Sequence, residues 1–222
     1  MKPTEILARE KTAEGDELVL SCRDGVYHLS VAGEELMTSR VHGSEEALAR
    51  LACAALTEKK TPRVLVGGLG FGYTLRAALD QLPRGAKVVV CEVFSSLLDW
   101  NRGVLAELAG RPLEDPRVKA VRADVQALLD GRERFDAILL DVDNGPQAFT
   151  LRSNASLYGD SGLARLWQSL AAKGVVAVWS SSPAPEFLDR LRRAGFEAWA
   201  ERVSARGDAR RRNHTIFLAR RK

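Results

Sequence analysis

The stretch from Arg63 to Leu79, read as RVLVGGLGFGYTLRAAL, constrains the fold of this chain more than any other. Its first residues form a short apolar run of the kind found in a buried parallel strand. The run breaks into closely spaced glycines, and helical spacing of apolar residues resumes at Leu75. Glycines in such a turn allow positive φ and let a ligand approach the main chain. The segment therefore predicts a strand, a ligand-binding turn and a helix.

A second apolar run, Lys87 to Glu92 (KVVVCE), ends in an acid about 20 residues beyond the turn, where nucleoside-binding folds use a carboxylate to accept hydrogen bonds from ribose hydroxyls. The turn has the spacing G-x-G-x-G over Gly68, Gly70 and Gly72, and not the G-x-G-x-x-G that holds a pyrophosphate. This spacing favours an adenosyl-sulfonium ligand over a dinucleotide. A packing turn and a solvated strand-end charge are the simpler alternatives.

Two further acids follow predicted strands. Asp124 comes just after the run Val118 to Val121, and Asp141 lies at the end of the apolar run that starts at Phe135. Ligands in open α/β sheets bind outside the carboxyl ends of the strands, so these acids are expected to share one crevice with Glu92. Asp124 is placed to accept from an exocyclic adenine amine, and it is equally suited to cap the following helix.

The order of elements predicts an α/β fold with a doubly wound, seven-stranded, mostly parallel sheet in which one strand is antiparallel. The fifth strand is expected over 174–180, after a helix over 160–172, and a closing pair over 196–204 and 215–219. Residues 1–43 are expected to form a small β appendage with a hairpin over 17–31. Residues 44–222 are expected to form a Rossmann-like nucleoside-binding domain. Ser44 is placed as a cap for its first helix, with Glu45 and Glu46 at the positive end of the dipole.

The composition indicates a cytoplasmic protein that has no membrane partner. The chain has 222 residues, a net charge of +4 and three cysteines, without a long apolar segment or metal-ligand spacing. A basic excess near Arg206 to Arg212 would suit RNA phosphates, although a solvated hairpin loop explains it more simply.

Taken together, the motifs VLVGGLGFG, CEV, Ala123-Asp124, LLDVDNGP and AAKGVVAV resemble those of the spermidine synthase family of class I adenosylmethionine-fold transferases, over roughly residues 62–182. The resemblance implies S-adenosylmethionine or decarboxylated S-adenosylmethionine as cofactor, a small-molecule amine acceptor and a homodimer. It implies that Asp141 is the catalytic acid/base. It also implies that the cofactor is bound by Gly67, Gly68, Leu69, Gly70, Gly72, Glu92, Val93 and Asp124.

Some positions depart from the family pattern. Gly70 stands where the family usually carries the Asp of G-G-G-D-G, and Asn144 falls near the second Asp of D-x-x-D-P. Aminopropyl transfer to an amine in polyamine synthesis is the leading hypothesis. The alternatives are an S-adenosylmethionine-dependent methyltransferase acting on a small molecule or RNA, and a non-catalytic nucleoside-binding module.

Overall fold

The computed structural model describes residues 3–12, 15–142, 145–146, 154–206 and 213–222. The chain divides into two compact units, Met1–His42 and Gly43–Lys222. Within the described ranges, no helix combines the length and the apolar character needed to cross a membrane.

The first unit is a four-stranded antiparallel sheet whose strands follow chain order. Its strands are β1 Glu5–Lys11, β2 Glu17–Arg23, β3 Val26–Val31 and β4 Glu34–Thr38. Leu18, Leu20 and Leu29 point to one face and are fully buried, as the alternation of apolar and polar residues requires. The hairpin predicted over 17–31 is formed by β2 and β3, and one further strand flanks it on each side.

The second unit contains a seven-stranded sheet in the order β10-β11-β9-β8-β5-β6-β7. Its strands are β5 Arg63–Gly67, β6 Lys87–Glu92, β7 Val118–Arg122, β8 Phe135–Leu140, β9 Leu170–Ser180, β10 Glu197–Val203 and β11 His214–Arg220. Among these strands, β11 alone runs antiparallel to its neighbours. The predicted fold class, with seven strands of which one is antiparallel, is confirmed.

Helices cover both faces of this sheet, so the central strands are buried on both sides. The helices are α1 Gly43–Cys53, α2 Tyr73–Gln81, α3 Ser95–Arg102, α4 Val125–Leu129, α5 Asn154–Leu157, α6 Asp160–Ser169 and α7 Pro185–Arg193. Helices α1 and α2 pack on one face, while α4, α6 and α7 pack on the other. Every residue of β8 is buried, and all but Asp136, which pairs with Lys59, are apolar.

The fifth strand of this sheet is longer than the sequence predicts. The helical spacing predicts a helix over 160–172, but α6 ends at Ser169 and β9 begins at Leu170. Leu170 pairs with Phe135 of β8, and the register then shifts before regular pairing resumes at Val175. Pairing with the neighbouring strand therefore overrides the helix propensity of the two alanines at 171 and 172.

Candidate functional site

The ends of three parallel strands meet at the glycine turn after β5. The Gly68 N–H donates to the Cys91 carbonyl at 2.9 Å, and the Asp141 N–H donates to the Gly67 carbonyl at 2.9 Å. Gly68 has φ +86°, and a Cβ at this position would lie 2.2 Å from the Asp141 carbonyl oxygen. Only glycine fits here, so the turn brings the end of β8 against the end of β5.

Glu92, the last residue of β6, is held by the backbone of this turn. Its carboxylate accepts from the N–H groups of Leu69 at 3.0 Å, Val93 at 2.8 Å and Phe94 at 3.0 Å. The residue is 6 % exposed, and burial raises its pKa although these hydrogen bonds act in the opposite direction. The Gly70 N–H is a fourth backbone donor that lowers the pKa of Glu92, so the glycine turn and the residues after β6 together fix this carboxylate.

Asp141 follows β8 and lies beside the turn. Thr74, in the first turn of α2, donates its hydroxyl to Asp141 Oδ2 at 2.6 Å. Burial, and to a lesser extent the charge of Glu92, raise the pKa of Asp141 to about 6, while the Thr74 hydrogen bond lowers it. A carboxyl group with such a pKa is suited to exchange protons near neutrality.

Glu45 adds a carboxyl group that the sequence did not predict as a site residue. The sequence places it as a dipole-compensating acid in the first turn of a helix, but the side chain is buried. Burial and then the charge of Asp141 raise the pKa of Glu45 to about 7. The charge of Asp141 therefore disfavours the ionised form of Glu45.

Ser44 and His214 continue from Glu45 as a line of hydrogen-bonding groups. Ser44 lies within the first turn of α1, which begins at Gly43 and not at the predicted cap, and its hydroxyl donates to Glu45 Oε2 at 2.6 Å. His214 Nδ1, at the start of β11, lies 2.9 Å from Ser44 Oγ. The imidazole ring contacts Trp179 edge to face with ring centroids 4.8 Å apart, and burial lowers the pKa of His214.

Three acids at this edge of the sheet have no cationic partner in the described part of the chain. The ion pairs of those residues do not include Glu45, Glu92 or Asp141. The carboxylates are held only by hydroxyl and backbone N–H donors. A site with this charge distribution favours a cationic ligand.

The other predicted binding residues differ in their burial and in their hydrogen bonds. Asp124 caps α4, where its Oδ1 accepts from the Gln126 N–H at 2.9 Å, which confirms the capping alternative. The Leu69 side chain is buried, whereas Val93 is 38 % exposed. Leu69 and Val93 both contribute to the site through their N–H groups on Glu92. The role of these residues toward a ligand stays a prediction.

Asn101, on α3, is a further residue that the sequence analysis did not identify. Its Nδ2 donates to the Gly70 carbonyl and to the Leu97 carbonyl, both at 2.8 Å, so α3 anchors the middle of the glycine turn. Its Oδ1 is buried and has no hydrogen-bond donor among the described residues, and the Trp179 Nε1 donor near the end of β9 likewise has no acceptor there. These unsatisfied groups, together with the unpaired acids, fit a site that a polar ligand completes.

Several sequence-predicted features lie outside the described residues. They include Asn144 and residues 207–212 of the basic stretch. In the described ranges no cluster of His, Cys, Asp or Glu could hold a metal ion.

A shallow depression of about 560 Å³ lies at the opposite edge of the sheet, where the strands begin. Its acids are paired: Asp136 with Lys59, and Glu133 with Arg63. Asp136 also accepts from the Arg63 N–H at 2.8 Å. The acids at this edge are therefore paired within the fold, and the candidate functional site is the opposite edge, where the parallel strands end (the carboxyl edge).

The comparisons with known proteins agree on the fold. No protein-family model matches the sequence, and no curated protein matches it. The spermidine synthase from Thermotoga maritima superposes with a TM-score of 0.75 and 17% sequence identity, over 98% of this chain and 73% of that one. A spermidine synthase in complex with the transition-state analogue AdoDATO superposes with a TM-score of 0.73 and 17% identity, over the same shares. A probable spermidine synthase from Corynebacterium glutamicum gives 0.68 and 16%, over 99% of this chain and 81% of that one. This chain therefore has a spermidine-synthase-like fold.

Proposed function

We propose that the chain is a transferase that binds decarboxylated S-adenosylmethionine or S-adenosylmethionine and alkylates a small amine, with aminopropyl transfer as the leading reaction. The observation that carries this proposal is the set of three acids, Glu45, Glu92 and Asp141, whose pKa values burial raises and which lack a cationic partner in the described residues. A sulfonium cofactor and an ammonium acceptor are both cations. Each would supply positive charge beside these acids, which the described residues do not provide.

The glycine turn and Glu92 would hold the nucleoside part of the cofactor. Backbone N–H groups of the glycine turn, Val93 and Phe94 fix the orientation of the Glu92 carboxylate, which would accept a hydrogen bond from a ribose hydroxyl. Asp124 would meet the adenine amine while it caps α4. One structural neighbour was crystallised with a transition-state analogue, AdoDATO, which supports a ligand of this class in the same fold.

Asp141 would bind the acceptor and take its proton. The bound cofactor supplies a carbon that is already electrophilic because it is attached to a positively charged sulfur. An amine is protonated at neutral pH and cannot attack until it loses a proton. A carboxyl group with a pKa of about 6, oriented by Thr74, can attract the ammonium and accept that proton.

The absence of a side chain at Gly70 is relevant to whether the chain transfers an aminopropyl group or a methyl group. Its carbonyl is held by Asn101, and the residue has no side chain to contact the cofactor's amino group. Glu45 provides negative charge near Asp141 from another element. This arrangement supports a cationic acceptor and leaves aminopropyl and methyl transfer as the two reactions that the cofactor experiment separates.

Calorimetric titration of the purified chain with decarboxylated S-adenosylmethionine and with S-adenosylmethionine tests the proposal. Tighter binding of the decarboxylated form supports aminopropyl transfer, and tighter binding of the intact form makes the chain a methyltransferase. Glu92→Gln is the control variant, and its affinity for the preferred cofactor is expected to fall about tenfold or more because a charged hydrogen-bond acceptor is lost. Failure of the wild-type chain to bind either compound would contradict the proposal.

Product analysis completes the test. Mass spectrometry of mixtures that contain the preferred cofactor and a panel of mono- and diamines should show the alkylated amine together with the thioether product. Binding without any product would instead support the non-catalytic nucleoside-binding module. A homodimer is part of the proposal and is checked by sedimentation velocity.

A further inference from the structure

The proposed transfer step uses Asp141 but leaves a largely buried line of hydrogen-bonding groups beside it without a role. This line consists of Glu45, Ser44 and His214, which come from the first helix and the last strand of the second unit. Ser44 Oγ lies 2.6 Å from Glu45 Oε2 and 2.9 Å from His214 Nδ1. Because a hydroxyl both donates and accepts, it connects the carboxyl group to the imidazole.

The line has two self-consistent hydrogen-bond directions. When Glu45 is ionised, His214 Nδ1–H donates to Ser44 and the Ser44 hydroxyl donates to the carboxylate. When Glu45 is protonated, the acid donates to Ser44 and the hydroxyl donates to an unprotonated Nδ1, so that the neutral imidazole carries its hydrogen on Nε2. The change from one direction to the other moves the hydrogen of His214 between its two ring nitrogens.

We propose that Glu45, Ser44 and His214 form a proton relay that carries the proton released by the acceptor amine from Asp141 to solvent. This inference rests on the proposed function. Glu45 and His214 are here positioning and proton-carrying residues, because neither is placed against the reacting carbon.

The surroundings of the relay suit this role. Burial raises the pKa of Glu45 to about 7 and that of Asp141 to about 6, so both carboxyl groups can exchange protons near neutral pH. Burial lowers the pKa of His214, which keeps the imidazole neutral and able to change tautomer. The edge-to-face contact with Trp179 holds the ring in place.

Two other titratable groups face Glu45. Glu46 is its neighbour on α1 and contributes to raising its pKa. Tyr73 at the start of α2 has a pKa raised to about 12, by burial and then by the charges of Glu45 and Glu46, so it stays neutral throughout the relevant range. Among the charged groups that shift the pKa of Glu45, Asp141 has the largest effect.

The proton balance closes over one turnover. The amine loses one proton to Asp141 as its nitrogen forms a bond to the cofactor carbon and the carbon–sulfur bond breaks toward sulfur. Asp141 passes the proton to Glu45. His214 then exchanges its ring hydrogen with solvent, losing the one on Nδ1 and gaining one on Nε2, while the Ser44 hydroxyl turns toward Nδ1, so the line takes its second direction. Glu45 then donates to Ser44, Ser44 donates to His214 Nδ1, and one proton leaves His214 Nε2. The line is left in its first direction, with Glu45 ionised and ready to accept again.

The tautomer of His214 provides a test that needs neither cofactor nor acceptor. We would record ¹⁵N imidazole shifts of the labelled full chain between pH 6 and pH 9, with His214→Gln to assign the signal. His214 is expected to change from the Nε2–H form to the Nδ1–H form as the pH rises through about 7. His28 is the internal control, because its Nδ1 bonds Glu35 directly at 2.7 Å on an exposed strand and should keep the Nδ1–H form whenever neutral.

Glu45→Gln and Ser44→Ala decide whether the change is transmitted along the line. Both variants should lose the pH-dependent tautomer change of His214, because one lacks the titrating group and the other lacks the connecting hydroxyl. A wild-type His214 that keeps one tautomer over the whole range would overturn the relay. A Glu45→Gln variant that shows the tautomer change unaltered would overturn it as well.

Measurement of turnover distinguishes a proton relay from hydrogen bonds that only stabilise the structure. In weak buffer, Ser44→Ala should lower kcat about tenfold or more at unchanged KM for the amine, and added imidazole should restore part of the loss. If the wild-type chain is active and the Ser44→Ala variant has the same kcat, the relay is overturned. If the wild-type chain makes no product, the proposed function fails on its own account, and the tautomer measurement still decides whether the line reverses as Glu45 titrates.

Discussion

The acidic residues at the two edges of the seven-stranded sheet differ in whether they pair with a cationic side chain. At the edge where the strands begin, Asp136 pairs with Lys59 and accepts the Arg63 N–H. At the edge where they end, the Thr74 hydroxyl is the donor that the described residues provide to the Asp141 carboxylate, and burial raises the pKa of Asp141. Both residues belong to the same strand region, five positions apart. This comparison indicates that an acid paired with a cation has a structural role, whereas an acid without a cationic partner can bind a ligand.

The largest expected effect comes from Asp141→Asn. If Asp141 takes the proton of the amine, kcat should fall by about 10²–10⁴ while cofactor affinity changes little. Steady-state kinetics together with calorimetry measures both quantities. Asp136→Asn is the matched control at the other edge and should keep the wild-type kcat. Equal losses of kcat in the two variants would remove the distinction between the edges.

Gly68→Ala should disrupt the carboxyl edge itself. The added Cβ would approach the Asp141 carbonyl to 2.2 Å in a residue with φ +86°, so we expect a loss of more than about 3 kcal/mol in the free energy of unfolding. Gly195→Ala is the control, because its φ is +96° but the nearest atom to its Cβ would be 3.7 Å away, in ordinary contact. Only about 1–2 kcal/mol is expected there. Urea unfolding compares the two, and similar losses would show that close approach to β8 is unimportant.

Glu45→Gln should change how stability depends on pH. Because the pKa of Glu45 is raised from 4.5 to about 7, the folded chain binds more protons than the unfolded chain between these values. The free energy of unfolding of the wild type therefore falls as the pH rises through this window, by up to about 3 kcal/mol from this group. The variant should be the more stable protein at pH 8 and should lose this advantage near pH 4. Parallel profiles for the two proteins would contradict the assignment.

Asp136→Ala should have the smallest effect of the four, and only on stability. It removes the partner of Lys59 and leaves the Arg63 N–H without its acceptor, at an expected cost of about 1–3 kcal/mol. Glu133→Ala breaks the exposed pair with Arg63 and should cost about 1 kcal/mol or less. Thermal unfolding ranks the variants. A loss of cofactor affinity in either variant would mean that the two edges are not independent.

Local sequence patterns predicted most of the strands in the sheet, because a strand buried on both faces is mostly apolar. The run at Phe135 and the glycine turn at Gly68 could be interpreted without knowledge of the rest of the chain. Glu45 could not, because a helix N-terminus with acids is ordinarily exposed, and its burial depends on how α1 packs against the sheet. His214 is 170 positions from Ser44, so no spacing could connect the two.

Asp124 shows a second limit of such reasoning. The same residue type at the same strand end suits a helix cap and an adenine ligand, and the structure establishes only the cap. Asn101 was missed because an asparagine within a helix carries no signal of its own. Its contact with the Gly70 carbonyl exists only because α3 folds back over the turn.

The position of β11 has a consequence for the order in which the chain can assemble. This strand is the last in sequence, yet it lies between β10 and β9, so β10 has no partner in the sheet until β11 is in place. Because β11 runs against its neighbours, its first residue, His214, reaches the edge where the parallel strands present their last. During synthesis, the edge where the parallel strands end therefore cannot be completed until residues 214–220 have been added. A nascent chain that stops before residue 214 has the glycine turn but lacks both the strand and the imidazole that finish the site.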